Sequence, residues 1–314
     1  MTFDVGQLPA RAADLKEAGV RAAYRELTRF GAGGGGGAAQ MMQIAEDSMA
    51  GVENVYDRFL DVPDPADFAP KVEWLGNAMA KLATEGHTSD PVTGSTAVSG
   101  HNPNLTLVGG SGDYLSDWTG VAADSYKRGY GDRFAPTASS QYAAVSVLRN
   151  AINAEAAVWQ GVREDLDKLS QEAIELMEGA GSKGGAEWAA VLSITATVIT
   201  VPLTGGASAI ALPAVAAGLS VASTGIGLAT GGGGEPTELG LDAGSSDKVI
   251  SSLQTALTKL AEEIGAQELK ISEALNQSSG VLDSQWDVFC LPQPALVDAP
   301  NHPVNDPSYS GHSA

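Results

Sequence analysis

The chain contains a single cysteine, Cys290, so no internal disulfide is available and cysteine usage assigns no redox compartment. Histidine is nearly as scarce: His87, His101, His302 and His312 are the whole set, and no two stand four residues apart. That spacing speaks against a histidine metal site, whose ligands must converge from one helix face or one loop. Positive charge is also short, with 18 Lys and Arg against 38 Asp and Glu, a formal net charge of −20. Such a surface repels phosphate backbones and anionic headgroups, so nucleic acid is excluded as a partner and any membrane contact has to be apolar. The start Met1-Thr2-Phe3-Asp4 lacks the basic residues and apolar core of a general secretory signal.

Catalytic machinery is missing in the same way. Gly179-Ala180-Gly181-Ser182-Lys183-Gly184-Gly185 places Ser-Lys-Gly where a phosphate loop has Gly-Lys-Ser/Thr, and it follows a helical pattern instead of a strand, so it reads as a linker. His87, Asp90 and His101 share one segment with several serines, but no nucleophile and base are placed together. They are expected to be solvent-exposed loop residues. Glu172, Glu175 and Glu178 form an acidic, solvated helix face. The chain is expected to be non-enzymatic, with no catalytic, cofactor-binding or metal-binding residue.

What is present is helical periodicity. Over 5–30, Leu8, Ala12, Leu15, Gly19, Ala23, Leu27 and Phe30 recur at three and four residues, the mark of an amphipathic helix. Seven positions, six of them glycine, follow at 31–37, and a second helix is expected across 38–60 before Pro63 and Pro65. Asp64 can cap a third helix to about Glu85, with Phe68, Val72, Leu75, Met79 and Leu82 inward. Residues 86–112 break the pattern, and Thr93–Ser99 and Leu105–Val108 are expected as short strands of a hairpin. From Val121 a helix runs to Phe134, meets Pro136 and is expected to restart near Ser139. Val145, Leu148, Ile152, Ala156, Trp159, Val162, Leu166, Leu169 and Ala173 then form an unbroken stripe. Ser245-Ser246-Asp247 opens a last long helix marked by Leu257, Leu260, Ile264, Ile271, Leu275, Leu282, Trp286 and Phe289. The prolines after Cys290 predict a disordered tail.

Between the last two long helices, residues 188–234 carry no charge at all. Val191 and Val198 lie in a β-branched arm, Pro202 and Gly205 in a turn, and Val215 and Leu219 in an arm rich in small residues. Each arm is near or below the ~20 residues that span a bilayer as a helix. The expected resting state is a hydrophobic hairpin sheltered against 139–178 and 246–289. A membrane-active, pore-forming-type protein that releases this hairpin is the alternative.

The organising stretch is Asp117-Trp118-Thr119-Gly120, followed by Val121-Ala122-Ala123-Asp124-Ser125-Tyr126. A glycine lets the backbone reverse tightly, and a tryptophan beside it can cover the reversal. These residues resemble the WXG proteins exported by type VII secretion systems. The order Trp-x-Gly-x-Ala-Ala-Asp-x-Tyr, then a long helix, then an uncharged apolar region, is closer to the Esp-type secretion-associated proteins. The resemblance covers about residues 64–230. It implies a secreted or cell-envelope protein without a cleaved signal, acting as a substrate or partner through helix–helix contacts with a helical protein in a hetero- or homo-oligomer. Trp118, Gly120 and Tyr126 would form its turn and partner-binding residues. Two features depart from the family: the insert at 86–112, and the absence of Tyr-x-x-x-Asp/Glu, since Tyr126 is followed four positions on by Tyr130 and Tyr142 by Ser146. The second departure predicts dependence on a partner that carries the signal.

The expected fold is therefore all-α, an elongated bundle of long antiparallel helices. Its expected parts are an N-terminal helical hairpin at 1–62, the Trp-x-Gly hairpin with its insert at 63–185, the apolar hairpin at 186–235, a long helix at 245–290 and a tail at 291–314.

Overall fold

The structure, a computed structural model, describes residues 3–30, 37–84, 90–91, 101–109, 117, 119–179, 187–192, 237–242 and 245–291. Its class is all-α. Helix α1 spans Leu8–Phe30, α2 Ala38–Ser48, α3 Ala69–Leu82 and α4 Pro103–Gly109. Helix α5 covers Val121–Tyr126, widens into a π turn at Lys127–Gly131 and runs straight on as α6, Asp132–Gly179. Helices α7, Ser246–Ser284, and α8, Trp286–Phe289, complete the set. Strands β1, Glu187–Leu192, and β2, Thr237–Asp242, pair antiparallel from Glu187↔Asp242 to Leu192↔Thr237. This ribbon is the one β pairing among the described residues.

Caps fix where the helices start. The Asp4 carboxylate accepts the Gly6 N–H at 2.9 Å and opens a short 3-10 turn that leads into α1. Asp64 accepts from the Ala66 N–H at 2.9 Å ahead of α3, as its position before Pro65 suggests. The Ser245 hydroxyl accepts the Lys248 N–H at the start of α7. Each cap satisfies a donor that has no intrahelical partner.

The core forms along α6. Leu8 and Leu15 of α1, Leu166 and Leu169 of α6, and Leu253 and Leu257 of α7 are all buried in one cluster. Removing each such side chain from water contributes about 1.5–3 kcal/mol. Helices α6 and α7 run antiparallel: Arg133 and Gln141 bond the carbonyls of Asp287 and Phe289, while Glu26 near the end of α1 accepts from Ser246. Helix α1 lies on the C-terminal part of α6, with Arg25 donating to the carbonyls of Met177 and Glu178 at 2.9 Å. Helix α3 lies on the N-terminal part, where Met79 and Ala83 pack with Tyr142.

Several expectations need correction. The second helix stops at Ser48 instead of continuing to residue 60, because Gly51 takes φ 87° and turns the chain into 3-10 turns at Val52–Asn54 and Asp57–Phe59. Leu105–Val108 is helical within α4, not a strand, and Thr93–Ser99 lies outside the described residues. Pro136 does not interrupt its helix. The stripe on α6 is rotated in its first half: Ala151, Ala154 and Val158 are buried, while Leu148 is 42% exposed. Alanines there let the neighbouring helices approach closely, and the larger side chains flank the seam.

Candidate functional site

The turn ahead of α5 is described at Asp117, Thr119 and Gly120. Gly120 stands at the N-cap with φ 106° and ψ 176°, a backbone region essentially reserved for glycine. Trp118 lies outside the described residues. Tyr126 is half-buried and stacks on Tyr130 at 5.5 Å between ring centroids, and Tyr130 meets Phe134 at 6.0 Å. The π turn places these three aromatics, four residues apart, in one ladder. Of the residues assigned to an apolar membrane segment, Val191 lies in strand β1, which departs from the helical arm considered for it. Val198, Pro202, Gly205, Val215 and Leu219 lie outside the described residues. Among the described residues no helix is long and apolar enough to cross a membrane.

Asp90 was expected to be a solvent-exposed loop residue, and the structure corrects that. It is fully buried. Its carboxylate accepts from Ser146 Oγ at 2.6 Å, from Arg149 Nη1 at 3.3 Å and from Asn150 Nδ2 at 3.3 Å. Ser146, Arg149 and Asn150 stand at i, i+3 and i+4 on α6, so one helix face presents three donors. That spacing is visible in the sequence. What the sequence does not give is the acid they hold, 56 to 60 residues away. Burial, and then the nearby Asp90 charge, push the adjacent Tyr142 phenol up, with Arg149 opposing. His101 is exposed, and His87 lies outside the described residues.

Arg149 also reaches the wall of a cleft of about 540 Å³ between α3 and α6. Phe68, Val72 and Ala156 give it apolar walls, and Glu73, Asn77 and Asn153 add polar groups. Arg149 Nε is buried and has no acceptor among the described residues. Further along α6, Arg163 is buried and donates to the carbonyls of Pro63, Phe3 and Val62 at 3.2 to 3.4 Å, with Asp64 at 3.7 Å. It fastens the N-terminal segment and the turn before α3 to the same helix.

Compared with family models, characterised proteins and solved structures, the chain matches none. Among the described residues no group of His, Cys, Asp and Glu could hold a metal ion. The described surface offers a cleft between helices and exposed large apolar side chains, Trp74 and Trp286 among them, which are features suited to binding another chain.

Proposed function

We propose that the chain is a non-enzymatic, type VII secretion-associated substrate or partner protein that works through helix–helix contacts at the cell envelope or outside it. The observation that carries this reading is the backbone of Gly120. A Trp-x-Gly turn needs its third residue in a conformation closed to other side chains, and Gly120 adopts one at the start of a helix bearing Asp124 and Tyr126. The absence of Tyr-x-x-x-acid leads to a partner that supplies the export signal. Expression in a type VII-competent host, with and without the helical proteins encoded beside it, tests both parts. The expected outcome is export to the medium only when the partner is present. Equal export in both strains removes the partner dependence, and export in neither removes the secretion reading.

The second reading, a membrane-active helical protein of pore-forming type, is favoured by the ribbon. Strands β1 and β2 bring together the two ends of a stretch that is uncharged from Trp188 to Gly234. Dye release from liposomes tests it: leakage with the parent chain, lost on placing Asp at Val198 and Val215, supports membrane action. No leakage under any condition excludes it.

A further inference from the structure

We propose that residues 127–136 form a hinge, about which α5 and the Gly120 turn change angle against the rest of the bundle. The joint is a property of the helix and holds whatever the chain binds, so it goes beyond the secretion reading. Three weaknesses meet within ten residues of one continuous helix. The π turn at Lys127–Gly131 widens the helix, with Asp132 closing it onto the Lys127 carbonyl. Gly129 and Gly131 both lie inside that turn, and glycine favours a helix least of all residues after proline. Pro136 follows and has no N–H to return to the Asp132 carbonyl. Neither space nor backbone geometry calls for the two glycines: a Cβ on either meets nothing within 4 Å, and neither has a positive φ. Alanine would fit in both places. The helix is thus weakest where packing asks nothing of it.

Burial divides the helix at the same place. Ala123 is buried on α5, and Phe134, Thr137 and Ala138 are buried on α6, but no residue of 127–132 is. On the α6 side the helix is pinned at once: Arg133 donates to the Asp287 carbonyl, and Gln141 donates to the Phe289 carbonyl at 2.7 Å. On the α5 side, Arg128 turns back within its own helix, its Nε donating to the Asp124 carbonyl at 3.3 Å. Two packed parts are therefore joined by an unpacked link. The aromatic ladder steadies that link, since the rings of Tyr126, Tyr130 and Phe134 run across it with centroids 5.5 and 6.0 Å apart. Apolar contact is non-directional, so the rings can slide on one another as the angle changes.

The test places pairs of spin labels in the purified full chain, with Cys290→Ser as background, and reads their distance distributions by double electron–electron resonance. One pair, Asp124→Cys with Asp283→Cys, spans the joint. The other, Leu148→Cys with Asp283→Cys, lies wholly on the body; all three sites are exposed. The first distribution should be clearly the broader of the two. Gly129→Ala, Gly131→Ala and Pro136→Ala together should narrow it to the width of the second and raise the melting temperature. Tyr130→Ala should broaden the first further and leave the second unchanged. Equal widths in the parent, no narrowing in the stiffened variant, or no response to Tyr130→Ala would each overturn the hinge. Should the stiffened variant not fold, the parental widths and Tyr130→Ala decide the matter by themselves. None of these measurements involves export or a partner, so the hinge and the secretion reading stand or fall separately.

Discussion

Among the described residues, two buried charged groups, Asp90 and Arg163, tie segments far apart in sequence to α6, so single residues there set the rigidity of this protein. Arg163→Met leaves the carbonyls of Phe3, Val62 and Pro63 without their donor. Chemical unfolding should register a loss of about 1.5–3 kcal/mol, the range for hydrogen bonds to a charged group. Asp90→Ala should cost about 3 kcal/mol, because it strands Arg149 beside the cleft without its counter-charge. Gly120→Ala forces a side chain into a backbone region nearly closed to it, for about 1–3 kcal/mol. Tyr56 behaves in the opposite sense. Its ring is buried and its hydroxyl has no partner among the described residues, so Tyr56→Phe should be neutral or slightly stabilising at neutral pH. Burial raises the Tyr56 pKa well above the ordinary phenol value, with the Arg11 charge pulling weakly down. The folded chain thus holds this proton where the unfolded chain has lost it. Stability contributed by the neutral phenol is complete below about pH 10 and declines as pH rises beyond it. The phenylalanine variant should show a shallower alkaline loss in a melting-temperature series.

At the scale of elements, the joins between helices carry more information than the helices themselves. The π turn at Lys127–Gly131 lies one turn ahead of Pro136, and Asp132 closes it by donating its N–H to the Lys127 carbonyl. Pro136 gives up one helical hydrogen bond, so Pro136→Ala should raise the unfolding midpoint, by up to about 3 kcal/mol in stability. Gly19 performs another kind of join. A Cβ there would sit 2.6 Å from Met49 Sδ, so with glycine the Met49 side chain lies directly against the α1 backbone, and any larger residue makes it move. The helices of the first ninety or so residues, their Asp64 cap and the Ser245 cap were legible in the sequence, since periodicity and capping chemistry are local signals. The end of α2 was less so: Gly51 marked it, but the apolar spacing continued through Val52, Val55 and Phe59 and suggested one longer helix. The rotation of the α6 stripe toward Ala151 and Ala154 depends on how closely other helices approach, which no local pattern encodes. Asp90 was hidden for a related reason. A buried carboxylate in a loop looks like any exposed one until its three donors are folded against it.

For the molecule as a whole, charge and connectivity dominate. With 38 acidic and 18 basic residues, the compact state gathers like charges that the unfolded chain can spread. Raising salt from about 10 mM to about 100 mM shortens the screening length from about 30 to 10 Å, and the melting temperature should rise accordingly. Unchanged or falling values would mean that specific pairs such as Arg11–Asp167 and Lys16–Glu53 outweigh the general repulsion. Connectivity has a different consequence. Leu192 faces Thr237 across the ribbon, so the chain departs and returns at neighbouring residues roughly 5 Å apart. Each doubling of the length enclosed between two such points adds only about 0.6 kcal/mol to the cost of closing it. Closure by itself therefore sets almost no limit on how much chain is strung between those two residues. Lengthening or trimming the passage between Leu192 and Thr237 by a few residues should leave the melting temperature of the helical body nearly unchanged if closure is its only link to that body.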